Sequence, residues 1–155
     1  MIQRPQTLLL AGSIVLLLVS LFLPFWQLNY STGSITLLNA WQLVTSDEQG
    51  VMDQREVFYI GLCFIGSMAL SGFSISQFKD RLMQMKLGSL NSLLIASGLG
   101  ISMYWVYFTE QQGSGLRGEF MVGFYLPLGA MLLNIISNRL IRRDQLVVKS
   151  SDRIR

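Results

Sequence analysis

Four long stretches of this chain carry no charge at all. No Asp, Glu, Lys or Arg occurs between Arg4 and Asp47, Glu56 and Lys79, Lys86 and Glu110, or Glu119 and Arg139, and the gaps hold 42, 22, 23 and 19 residues. A bilayer's hydrocarbon core is about 30 Å thick and takes about 20 helical residues at about 1.5 Å each. Each gap therefore fits one crossing, the first with an uncharged loop to spare. Lipid offers the backbone no hydrogen-bond partner, and the segments are too long and too little alternating for barrel strands, so they must be helices. The spacing predicts helices at about 7–28, 57–78, 87–109 and 120–141. The expected fold is an all-α integral membrane protein, four transmembrane helices in an antiparallel bundle forming one domain over 1–141, followed by a basic tail at 142–155.

Composition excludes the soluble alternative. Of 155 residues 51% are hydrophobic and 14% charged, whereas a soluble domain has about a quarter of its residues charged. Amphipathic helices of a soluble protein would also show a polar face, which these runs lack. The start has the look of a signal peptide, but Leu23-Pro24-Phe25-Trp26 follows its apolar run where a small-x-small cleavage site would be needed. It reads as a retained first helix, with Pro5 suited to its first turn and Pro24 marking its outer end.

Orientation follows from the cations. Arg4, the loop residues Lys79, Arg81 and Lys86, and the tail residues Arg139, Arg142, Arg143, Lys149, Arg153 and Arg155 fall on one side; only Arg55 and Arg117 fall on the other. Ten against two places both termini in the cytoplasm by the positive-inside rule. Asp80, Asp144 and Asp152 share the cation-rich side, and the other six acids lie opposite.

The connection at 29–56 is the only sizeable loop. Trp26, Leu28, Tyr30 and then Ile35 and Leu37 alternate around Ser31-Thr32-Gly33-Ser34, which predicts a short β-hairpin in this extracytoplasmic segment. Trp26, Tyr30, Trp41, Trp105 and Tyr107 all fall toward the same end. They form either an interfacial aromatic belt, the reading the sequence favours, or the lining of an outer pocket for a lipid.

Within the helices, Gly88, Ser92, Ala96 and Gly100 recur every fourth residue, a small-residue stripe that lets another backbone approach closely. Asn91 lies five residues from Lys86 as Asn134 lies five from Arg139, so the depths match. A hydrogen bond from Asn91 to Asn134 or Asn138 is expected as a register device.

Chemistry is harder to place. Apart from Arg139 at the cation-rich end of the fourth, no acidic or basic residue lies inside a predicted span, so there is no evident proton relay or ion path. Histidine is absent and Cys63 stands alone, which excludes a Ser-His-Asp or Cys-His arrangement and a His or Cys metal cluster. Ser89 follows Lys86 by three residues, but a lysine at the membrane surface stays protonated and cannot serve as a base. The expectation is a chain with no cofactor, no catalytic or metal residues and no nucleic-acid partner, the tail cations being explained by topology first.

Three stretches carry a family likeness: the start MIQRPQTLLL, the loop FKDRLMQMKLGSLNSLL and the end LPLGAMLLNIISNRLIRRDQLVVKSSDRIR. Together they resemble the small four-helix membrane proteins of Bacteroidota grouped as domain of unknown function 4293, over essentially the whole chain. An Arg-Ile-Gln-Thr start is common in that family, where this chain has Pro5 after Arg4. The resemblance implies a bacterial inner-membrane location and brings no activity to carry over. It also implies a tail motif running from Asn138 through Arg142, Arg143 and Asp144 to Ser151, Asp152, Arg153 and Arg155. That ordered tail fits docking on a partner protein or contact with anionic lipid. The leading functional expectation is a non-enzymatic accessory or scaffold subunit of a membrane complex, using the third helix and the tail. The alternative is a lipid-binding or small-molecule transport component using the aromatic outer end.

Overall fold

The computed structural model describes residues 5–30, 33–47, 50–77, 80–112 and 116–151. Its elements are α1 (Pro5–Ser20), β1 (Trp26–Asn29), β2 (Ile35–Leu38), β3 (Gln42–Asp47), β4 (Gly50–Glu56), α2 (Tyr59–Ser76), α3 (Arg81–Gln112), β5 (Glu119–Phe120) and α4 (Val122–Ser151). Each helix packs against two others, in the cyclic order α1, α2, α3, α4.

The all-α expectation does not hold. The five strands form one antiparallel sheet in the order β4-β3-β2-β1-β5, and the chain is a helix-plus-sheet protein. Three helices, α2, α3 and α4, are long and apolar enough to cross a membrane; α1 is an apolar helix of 16 residues, shorter than predicted. Its early end has a local cause. Pro24 disfavours the helical conformation in the residue before it, the chain tightens through Phe22 N–H to Val19 O and Leu23 N–H to Ser20 O, and Phe25 N–H then donates to Leu38 O at 2.7 Å, entering the sheet.

The predicted hairpin is present but is only part of the sheet, and its second strand is out of phase with the sequence reading. In β1, Trp26 and Leu28 are buried as expected; opposite them β2 buries Thr36 and Leu38, while Ile35 is exposed and Leu37 half-buried. Ser31 and Thr32 of the predicted turn lie outside the described residues, and Gly33 takes a positive φ of 89° that suits glycine. β3 and β4 add a second hairpin, and β4 is an edge strand exposed from Met52 through Glu56. Charged residues on an unpaired edge discourage further strand addition.

β5 was not anticipated. Phe120, predicted to open the last helix, and Glu119 before it instead pair with Trp26 and Gln27 of β1. The connection between α3 and α4 is thereby stitched to the connection between α1 and α2, and the sheet lies across one end of the helices. The main apolar cluster sits at this junction, with Trp26, Leu28, Leu38, Val57, Ile60 and Phe64 all fully buried. At the other end, Asp80 caps α3 by accepting from Met83 N–H at 3.0 Å, which extends that helix six residues before the predicted start.

One contact couples the two prolines that shape the sheet end. Pro127 lies inside α4 and has no N–H to give the carbonyl four residues back, Gly123 O. Ser20, the last residue of α1, donates its hydroxyl to that same carbonyl at 3.1 Å. Gly123 can lie there only without a side chain, since a Cβ would sit 2.4 Å from Pro24 O. Ser20→Ala should therefore cost about 1 kcal/mol of stability by leaving a buried carbonyl unpaired. The same change in a Pro127→Ala background should cost almost nothing, because residue 127 then supplies the donor. A thermal double-mutant cycle checks this, and additive losses would refute it.

Candidate functional site

The helices are apolar outside, and small polar side chains share their interior with apolar ones. Exposed positions include Leu8, Val15, Phe22, Leu62, Leu93 and Leu132, while Ser67, Ser71, Asn91, Asn134 and Ser137 are buried at 1% exposure or less. Water would favour the reverse. In hydrocarbon, by contrast, leucine gains nothing by turning inward and a hydroxyl or amide must find a partner across the helix interface.

Those partners are specific. Asn91 of α3 accepts from Ser67 Oγ and donates to Ser71 Oγ at 2.8 Å, both on α2. Asn134 of α4 donates to Gly88 O and Ser92 Oγ of α3, each at 2.8 Å. Ser137 of α4 donates to Gln6 O of α1 at 3.0 Å, and Gln84 of α3 to Ser74 O of α2 at 2.8 Å. The expected Asn91–Asn134 bond is thus not formed. The depths match, but the two side chains leave α3 on different sides: Asn91 is turned to α2, and Asn134 reaches across to the small residues of α3. Asn138 offers only a long 3.5 Å contact to Ser89 Oγ.

The small-residue stripe is divided between two environments. Gly88 and Ser92 form the α4 contact, and a Cβ on Gly88 would press to 3.0 Å from Asn138. Ala96 and Gly100 are exposed, and nothing lies within 4 Å of where a Cβ on Gly100 would be. Gly98, outside the stripe, is the tighter position in this half of α3, with Phe64 of α2 2.6 Å from its would-be Cβ. Its role was missed because every-fourth-residue spacing points to the wrong face.

The aromatic residues are mostly committed to the fold. Trp26 is fully buried; Trp105 donates from Nε1 to Tyr59 OH at 2.5 Å; Trp41 donates from Nε1 to Leu21 O at 3.0 Å and covers Gly61. Tyr107 is 62% exposed. Tyr30 alone of the five lines a cleft of about 350 Å³ between the sheet and α3, beside Thr45, Met52, Asp53, Arg55 and Thr109.

A larger groove, about 570 Å³, opens at the opposite end between α3 and α4. Met85, Ser89 and Ser92 line it from α3, and Ile135, Asn138, Arg139 and Arg142 from α4. Of the remaining tail residues, Asp144 accepts from Arg81 Nη1 through its carbonyl at 2.7 Å, with the carboxylate 3.9 Å from Nη2, and Arg143 is exposed. Lys149 lies within α4, its side chain outside the described residues, as are Asp152, Arg153 and Arg155 altogether.

A family model described as Domain of unknown function (DUF4293) matches residues 2–154, nearly the whole chain, and the chain belongs to that family. No curated protein matches it.

The polar contacts predict a pattern of energetic coupling. Asn91→Leu should lower stability by about 1 kcal/mol, and a cycle with Ser71→Ala should show a coupling near 0.6 kcal/mol. A cycle between Asn91 and Asn134 should be additive within about 0.5 kcal/mol. Thermal unfolding in detergent measures both; strong Asn91–Asn134 coupling would restore the direct bond.

Proposed function

We propose that this DUF4293 member is a non-enzymatic, multi-pass protein of the bacterial inner membrane, with both termini cytoplasmic, that serves as an accessory subunit by docking a helix of a membrane partner on α3 and a cytoplasmic surface on the basic end of α4. The observation that carries the reading is the open half of the small-residue stripe. Ala96 and Gly100 are exposed on α3 with no side chain of this chain laid over Gly100, and faces of this kind let a second transmembrane backbone come close.

Three further features support it. The buried amides and hydroxyls of the helices are largely bonded to groups on neighbouring helices. The ends of the helices away from the sheet gather Arg81, Lys86, Arg139, Arg142 and Arg143, the distribution expected of a cytoplasmic face. α1 accompanies the three longer helices: its 16 residues rise about 24 Å, and its outward side chains Leu8, Val15 and Val19 are apolar and exposed.

Mild-detergent purification from native membranes tests the docking role. The chain should elute with a stoichiometric membrane partner, and Ala96→Leu/Gly100→Leu should release it while leaving the unfolding temperature unchanged, since both substitutions point outward. A clean monomer carrying only lipid would contradict the proposal.

A further inference from the structure

The α3–α4 groove has a chemical character that neither helix packing nor topology requires. Arg139 and Arg142 stand three residues apart on α4, which puts them on one face of the helix, and both line the groove. Neither has an ion-pair partner among the described residues, whereas Arg81 nearby is held by Asp144. Across from them lies the exposed Ser89, whose hydroxyl donates to Met85 O at 3.1 Å, and Asn138 lies between with its Oδ1 buried and unpartnered.

The walls change character along the groove. From Arg142 to Ile135 is seven residues, about 10 Å along α4, and over that distance the α4 wall passes from guanidinium groups to Ile135, while Met85, near the start of the antiparallel α3, lies level with the arginines. The outer surface beside it is apolar, with Leu93 of α3 and Leu132 and Ile136 of α4 exposed. An occupant that matches both ends is anionic at one end and aliphatic at the other.

We infer that this groove seats an anionic glycerophospholipid, its phosphate between Arg139 and Arg142 and the first part of an acyl chain against Ile135 and the exposed Leu93 and Leu132 beside it. Two guanidinium groups give planar, multiply donating recognition of phosphate that a single lysine would not. Basic pockets between transmembrane helices on the cytoplasmic side are suited to phospholipid headgroups. A free anion would satisfy the arginines but leave the apolar walls unused. The inference depends on the chain lying in a bilayer and not on its docking a partner.

Native mass spectrometry of the full chain released from nanodiscs of mixed phosphatidylglycerol and phosphatidylcholine tests it. The wild type should retain phosphatidylglycerol under activation that strips phosphatidylcholine, and R139Q/R142Q should weaken that retention at least tenfold. K86Q/R143Q, which removes the same charge from exposed positions outside the groove, should retain it. Equal loss in both variants would reduce the effect to diffuse attraction and overturn the site. Displacement by millimolar inorganic phosphate would overturn the lipid in favour of a soluble anion. A chain that stayed monodisperse without amphiphile would instead remove the bilayer premise, a failure distinct from either.

Discussion

A helix surrounded by hydrocarbon gains little by burying leucine against a neighbour, so the interior of such a protein must be specified by what hydrocarbon cannot tolerate. In this chain the specification is made by hydroxyl and amide groups. Ser67, Ser71, Asn91, Asn134 and Ser137 are turned inward and joined across helix pairs, while leucine, valine and phenylalanine cover the outside. Each such bond contributes only about 0.6 kcal/mol on average. Their larger effect is on register, because a helix sliding by one turn would leave several polar groups unpaired at once.

The sheet end obeys ordinary packing rules. Here Trp26, Leu28, Leu38, Ile60 and Phe64 form a close apolar cluster, and the two connections are tied through β1 and β5. At the same end α1 and α4 are tied by backbone chemistry at Pro24 and Pro127. One proline ends α1, the other leaves a carbonyl bare within α4, and Ser20 at the end of the first helix fills the vacancy in the second. That arrangement fixes where α4 begins relative to α1. The open stripe at Ala96 and Gly100 and the cationic groove at Arg139 and Arg142 are separate surfaces, the first midway along α3 and the second at the end of the helices away from the sheet.

How much of this the sequence disclosed depends on which signal each element used. α2, α3 and α4 were legible as helices long and apolar enough to cross a membrane because charge-free length is read directly off the sequence. The β1–β2 hairpin was legible from alternation around Gly33, though not its phase, because Thr36 takes a buried position that alternating hydrophobicity assigns to Ile35. β3 and β4 were not, since β4 is an edge strand exposed from Met52 to Glu56 and carries no hydrophobic period to read. β5 spans two residues and exists only through its pairing with β1. Among site residues, depth matching found Asn91 and Asn134 as polar crosslinks but gave them each other as partners, since spacing from charged ends fixes height and not azimuth. The groove escaped notice because Arg139 and Arg142 had already been explained by topology.

The central claim is that the apolar flank of the helices faces lipid while the sheet faces water. Spin labels in a Cys63→Ala background, placed singly at Leu93 of α3 and Gln54 of β4 in reconstituted protein, measure it through collision with oxygen and with a water-soluble nickel chelate. Residue 93 should be relaxed strongly by oxygen and scarcely by nickel, and residue 54 the reverse. Nickel accessibility at position 93 equal to that at position 54 would contradict the account.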